Sequence, residues 1–312
     1  MRREALVRIS VANAPCSWGV VEGFASGQPG PGYAQVLDEM AAAGYAGTEL
    51  GDWGFMPTDA ETLRAELAGR RLALVGAFVP VALADAASHA PGEADAARVA
   101  RLLAQVAPPE SLDGAPFLVL ADDSGTDPTR TRMAGRLGPS QGLSEGQWRT
   151  FVEGAQRIAD AVRRQTGLHT VFHHHCGSYV ETPAEIETFL GLTDPDLIGL
   201  CFDTGHYTYG GGDALDGLRR FGERVWHVHL KDCDGAVAER ARGEGWDYFE
   251  AVRNGIFCEL GKGQVDFPAL LEELANRRYQ GWIVVEQDIA PGTGTPFESA
   301  QRGRTYLRGL GL

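Results

Sequence analysis

The chain lacks any apolar run of 18 or more residues, so no segment is long enough for a transmembrane helix. It also lacks a CxxC pair. Its five cysteines, Cys16, Cys176, Cys201, Cys233 and Cys258, are odd in number and widely spaced, which fits a reduced, cytoplasmic protein. Clusters of Lys and Arg are missing, and the net charge is -14. Phosphate neutralisation needs such clusters, so nucleic acid is not an expected partner. The net charge leaves the substrate open, because the field of a whole surface is not the field of a pocket. No GxGxxG follows the first strand-like run, which leads into APCSWGVVEG. This argues against a dinucleotide-binding open sheet. The basic start MRREALVRIS carries only a short apolar stretch and runs into strand-like sequence, so no signal peptide is expected.

What is present is a regular alternation. Eight short apolar runs recur along 312 residues: 7–13, 47–50, 72–79, 116–122, 169–174, 197–203, 225–232 and 281–288. They are nearly continuous in apolar residues, as parallel strands buried on both faces are. Helical patterns lie between them at 33–44, 59–70, 94–107, 144–167, 182–192, 213–222, 266–278 and 296–310. Asp59 is placed to cap the first amides of one helix, Gly44 to end another, and Pro183 and Pro268 to open two more. Eight strands each followed by a helix give the α/β class and a single (β/α)8 TIM barrel over 1–312. A long connection after the seventh strand, 232–265, holds a short helical pattern, WDYFEAVRNG, and reads as a lid or site wall. A polar, Gly/Pro-rich loop at 124–142 follows the fourth strand on the same face.

The polar residues gather where these strands run out. Glu49 ends the second run, and His173-His174-His175 ends the fifth, with Glu181 shortly after. Asp203-Thr-Gly-His206 ends the sixth. The seventh holds His227-Val-His229-Leu-Lys231-Asp232, and Glu286-Gln-Asp288 ends the eighth. Six of the chain's eight histidines fall in these clusters of the fifth to seventh strands. Asp, His and Glu converging on one face of a barrel suit a divalent cation of intermediate hardness. Alternation assigns His173 and His175 to one face and His174 to the strand–helix layer. His206 is placed to touch a substrate rather than the same metal. Lys231 shares a face with His229; it holds an oxygen, acts as an acid, or pairs with Asp232 or a neighbouring carboxylate. Glu49 reads as a site wall or hydrogen-bond partner, because the second strand lies across the barrel from the seventh. LGKG at 260–263 offers backbone amides to a substrate, and Cys176, Cys201 and Cys233 read as small buried fillers.

The succession NAPCSWG, GTELG, DTGH, HVHLKD, ELGKGQVDF and WIVVEQD resembles the xylose-isomerase-like barrel superfamily over nearly the whole chain. More narrowly it resembles the inosose dehydratase (2-keto-myo-inositol dehydratase) branch of inositol catabolism. The resemblance implies a divalent metal, manganese or cobalt first and magnesium or zinc after them. Its ligands in the superfamily are a Glu of strand 5, an Asp of strand 6, a His of strand 7 and a Glu of strand 8. Carried over, three of these are Asp203, His229 and Glu286. The fourth position departs from the pattern, because strand 5 reads His173-His174-His175. His173, His175 and a reaching Glu181 all stay open for it. Epimerases of the superfamily are thought to move a proton between two metal-bound glutamates, and only one such glutamate is present here. The resemblance therefore implies a lyase that dehydrates a keto-polyol such as inosose. Glu286 or a neighbour would be the base, and His206 or Lys231 the acid. A ketose 3-epimerase or isomerase using the same metal is the alternative, followed by a non-catalytic sugar-binding barrel. No membrane partner is expected, and homodimer and homotetramer both stay open.

Overall fold

The computed structural model describes residues 9–20, 30–107, 114–288 and 294–312. Eight parallel strands close into a barrel: β1 (Ile9–Asn13), β2 (Gly47–Glu49), β3 (Ala73–Val81), β4 (Phe117–Asp122), β5 (Thr170–His173), β6 (Ile198–Asp203), β7 (Val225–Leu230) and β10 (Gly281–Val285). Neighbours around the barrel are neighbours in sequence, and β10 closes the ring by pairing with both β1 and β7. The expected start of the first strand, Val7 and Arg8, lies outside the described residues. Among the described residues no helix is long and apolar enough to cross a membrane.

Each helix forms where its local chemistry allows. Asp59 accepts from Thr62 N–H and opens the helix Ala60–Arg70. Ser144 and Gln147 form a capping box at the start of Glu145–Thr166. Gly44, at φ 92°, ends Tyr33–Ala43 in a conformation that a side chain would strain. The third helix starts earlier than the Ala/Leu pattern suggests, at His89, because His89 is buried and its ring meets the Leu83 carbonyl.

The strands sort their side chains into two cores. Phe172, Phe202, Val228, Leu230, Ile283 and Val285 face outward into the main core beneath the helices. Val171, Cys201 and Val119 form one small cluster inside the barrel, and Ala12, Val75 and Val284 form another. Strand alternation then places the next inward positions, two residues on, at the C-terminal mouth. Those positions are His173, Asp203 and Glu286.

Two loops build the walls of that mouth. The segment 124–142 is folded: it holds the short helix Pro128–Met133, and Arg130 is buried in a two-pronged pair with Glu185. The connection after β7 holds a two-stranded antiparallel ribbon, β8 (Asp232–Cys233) with β9 (Phe257–Cys258). It also holds the helices Gly235–Glu244 and Tyr248–Arg253, of which only the second showed as a pattern in the sequence. Its own small core includes Trp246, Tyr248 and Ile256.

Candidate active site

At the mouth of the barrel, one ligand atom each of His173, Asp203, His229 and Glu286 lie within 4.8 Å of one another. The register explains the gathering. Asp203 of β6 pairs with His229 of β7, and His229 with Val284 of β10, two residues before Glu286. His173 Nε2 is 3.7 Å from Asp203 Oδ2, and His229 Nδ1 is 3.1 Å from Glu286 Oε1. Several of these atoms are buried without a hydrogen bond: both ring nitrogens of His173, Nδ1 of His229 and Oδ2 of Asp203. Buried polar atoms normally find partners. Two carboxylates and two imidazoles aimed at one point fit a divalent ion of intermediate hardness, which would take up those lone pairs.

Neighbouring groups brace this set. The other oxygen of Asp203, Oδ1, accepts from His206 N–H at 2.8 Å and caps the helix Thr204–Tyr209. Asp203 N–H donates to His174 Nε2 at 3.2 Å. Burial opposes charge on Asp203, but His173 and Lys231 hold its pKa below the usual carboxylate range. Glu286 lies further down, because His229 and Lys231 outweigh its burial. Beneath the site, Glu49 Oε1 is 2.9 Å from His227 Nε2 and 3.0 Å from His229 Nε2. Burial raises the Glu49 pKa, but the two histidines bring it down to about 2. Glu49 is thus a hydrogen-bond partner that reaches across the barrel.

A cavity of about 360 Å³ opens at the mouth, and His173 and Glu286 of the group of four line it. Glu49, Asp123, His173, His175, Lys231, Glu286 and Asp288 form its polar part. Phe78, Pro80, Phe249 and Val252 form an apolar wall, with the last two supplied by the connection after β7. Lys231 Nζ is 3.2 Å from both Glu286 Oε2 and Asp288 Oδ2. Burial alone would lower its pKa; Asp288, Glu286 and Asp203 raise it well above the ordinary lysine value. A more open groove outside the barrel, between the helices Glu145–Thr166 and Pro183–Leu192, contains none of these groups.

Several expectations are corrected by this geometry. His175 does not join the group of four. Its Nδ1 meets Cys176 O and Ser124 Oγ, and Tyr248 Oη lies 3.3 Å from its Nε2. It lines the cavity instead, and burial beside His173 lowers its pKa to about 3. His206 is fully buried behind His175, with ring centroids 4.0 Å apart, and is not among the cavity-lining residues. Glu181 does not reach the site: its oxygens accept from Gly135 and Gly177 N–H, each at 2.7 Å. Of the two pairings left open for Lys231, the structure shows the neighbouring carboxylates, Glu286 and Asp288, and not Asp232. Asp232 instead accepts the amides of Cys233, Gly261, Gly263 and Val265, so the two glycine amides of LGKG are already taken. Sequence reasoning missed Tyr248 and the pairing role of Asp288. A signal for the latter existed: the chain has only two lysines, and Lys231 follows His229 by two residues on the strand that precedes the run ending in Glu286-Gln-Asp288.

The sequence model of the xylose isomerase-like TIM barrel family matches residues 37–310. The chain belongs to that family. It is similar to an inosose dehydratase of Geobacillus kaustophilus, 34% identical over 274 residues, covering 88% of this chain and 85% of the relative. An inosose dehydratase of Lacticaseibacillus casei is 32% identical over 283 residues, covering 88% of each. Among solved structures, a probable 3-DHS dehydratase from Bacillus anthracis superposes with a TM-score of 0.69 at 14% identity, covering 96% of this chain and 98% of that one. A D-allulose 3-epimerase from Methylomonas sp. superposes with a TM-score of 0.66 at 18% identity, covering 97% of each. These structural likenesses carry the fold alone.

Proposed function

We propose that this protein is a metal-dependent dehydratase acting on a neutral keto-polyol, with inosose the named substrate. The observation that carries the reading is the group of His173, Asp203, His229 and Glu286, which contains a single glutamate and reaches the cavity through His173 and Glu286. The name shared by relatives at 34% and 32% identity over 88% of the chain supports the same reaction. A divalent ion held by those four side chains, manganese or cobalt as the family resemblance implies, would supply Lewis acidity for the substrate's ketone.

The chain's own groups supply the rest. Glu286 faces the cavity and removes the proton α to the ketone. Lys231, 3.2 Å from the same carboxylate, gives a proton to the departing β-hydroxyl, which leaves as water. The proton taken by Glu286 then restores Lys231 across that contact. One C–H and one C–O bond break, one C=C bond forms, and one water is lost. His206 is set aside as the acid because it does not line the cavity. The described lining carries Glu49, Asp52, Asp123, Glu286 and Asp288 against the single cation Lys231, a balance that suits an uncharged polyol better than a sugar phosphate. The apolar wall of Phe78, Pro80 and Phe249 suits the C–H face of a ring.

The test is to incubate protein loaded with Mn²⁺ or Co²⁺ with a panel of keto-polyols and follow products by mass. Loss of one water from inosose is expected. Unchanged mass with inverted stereochemistry would establish an epimerase and overturn the proposal.

A further inference from the structure

Below the group of four lies a buried pair, Glu49 and His227, to which the proposed chemistry gives no role. His227 and His229 stand two residues apart on β7, so both rings point into the barrel. Glu49 reaches them from β2, and all three side chains are buried. A single carboxylate oxygen, Glu49 Oε1, lies within 3.0 Å of the Nε2 of both rings. A carboxylate oxygen accepts, so both Nε2 atoms donate. In the neutral ring the one hydrogen then sits on Nε2 of His229, and Nδ1, 3.1 Å from Glu286 Oε1, is the nitrogen that faces the group of four and would bind an ion there. Room for the carboxylate comes from β3. A Cβ on Gly76 would lie 3.1 Å from Glu49 Oε1 and 3.2 Å from Phe117 O, tighter than side chains normally pack.

We propose that Glu49 and His227 are positioning residues: Glu49 locks His229 in the tautomer that turns Nδ1 to the metal, and His227 pins Glu49. The inference rests on the reading of the four residues as a metal site. His227 is fully buried and is not among the residues lining the cavity, so it has no route to substrate. Its donation to Glu49 Oε1 is its single hydrogen bond, since its Nδ1 has no partner. A carboxylate crossing a barrel on a flexible side chain has rotamers to choose from. Two donors converging on one oxygen select one of them. A ligand histidine held through its second nitrogen by a carboxylate is worth about 10–100-fold in metal affinity.

The test measures Mn²⁺ binding to the full chain by competition with a chelator, independently of activity. Glu49→Gln and His227→Leu are each expected to weaken Mn²⁺ binding about 10–100-fold, while one ion per chain still binds at saturation. His227→Gln, whose amide N–H reaches the same place as Nε2–H, should restore affinity to within about threefold of wild type. In wild-type protein labelled with ¹⁵N-histidine and loaded with diamagnetic Zn²⁺, His229 should be protonated at Nε2. Affinity within about twofold of wild type in both Glu49→Gln and His227→Leu would overturn the inference. So would a second ion per chain that is lost in His227→Leu, because His227 would then be a ligand. If these variants fail to fold, the wild-type nitrogen spectrum decides: a protonated Nδ1 on His229 overturns it. Wild-type protein that binds no Mn²⁺ defeats the metal reading and this inference together, whereas binding that ignores the variants defeats the inference alone.

Discussion

His174 Nε2 accepts the backbone N–H of Asp203 at 3.2 Å, although His174 sits between two residues that face the cavity. Its ring lies in the strand–helix layer beside Phe202 and Tyr207, and burial lowers its pKa to about 3, so it stays neutral. His174→Gln keeps an acceptor near that N–H and is expected to bind metal within about twofold of wild type. His173→Ala should lose most of the metal. Removing the acceptor in His174→Ala leaves a buried N–H unpaired, at a cost of about 1–3 kcal/mol in stability. Elemental analysis and denaturant midpoints check both. Equal metal loss from His173→Ala and His174→Gln would contradict the assignment.

Lys231 is held between two carboxylates and keeps its charge. Lys231→Met should lower kcat by about 10²–10⁴, the range expected for a lost acid–base group, with metal content unchanged. Turnover and metal assays on the same preparation separate the two effects. A kcat near wild type would remove Lys231 from the chemistry.

The walls of the mouth depend on buried carboxylates outside the site. Burial raises the pKa of Glu181 to about 7, outweighing the two backbone N–H bonds that favour its charge. Between the unfolded value of about 4.3 and 7, the folded chain keeps a proton at Glu181 that the unfolded chain has released. The folded state binds more protons, so stability falls as pH rises through this window, by about 1.4 kcal/mol per pH unit, and is flat above it. Glu181→Gln cannot titrate and should lack that slope. One unpaired N–H in the variant would offset its stability at every pH without changing the slope. Urea midpoints from pH 4.5 to 8 check this, and parallel curves for the two proteins would refute it.

Asp232 ties the connection after β7 to the barrel through four backbone amides. Asp232→Asn has one oxygen fewer to accept them and is expected to loosen the segment that carries Tyr248, Phe249 and Val252. The expected signs are faster proteolysis between residues 234 and 256 and a KM raised about tenfold, with metal affinity little changed. Limited proteolysis with and without substrate checks it. An unaltered cleavage rate and KM would count against a lid anchored there.

Restoring the missing carboxylate with His173→Glu should retain metal, because carboxylate oxygen is also an acceptable ligand, and should slow dehydration. In deuterated water, wild type is expected to eliminate without returning deuterium to recovered substrate. Rapid wash-in with inversion and no water loss in wild type would favour the epimerase reading.

The strand and helix alternation, the cap at Asp59 and the barrel mouth rich in His and Asp were all legible in the sequence. They follow from local periodicity and from residue types that each carry their own preference. The inward and outward sorting of His173, His174 and His175 followed from alternation alone. Which inward histidine meets Asp203 did not, because His173 and His175 share a face. Height along the strand separates them, and the Cys176 carbonyl and Ser124 hydroxyl occupy His175. The use of Glu49 by two histidines 178 and 180 residues away was equally hidden. So were the choice of carboxylates that Lys231 pairs with, Glu286 and Asp288, and the withdrawal of Glu181 and His206 from the cavity. These outcomes depend on distances across a closed barrel, and a barrel closes only when β10 pairs with β1. The sequence by itself thus determined which chemical groups reach the mouth. Only the tertiary structure decided which of them touch, because hydrogen bonding and ion pairing fall off within a few ångströms while the chain separations involved run to more than half its length.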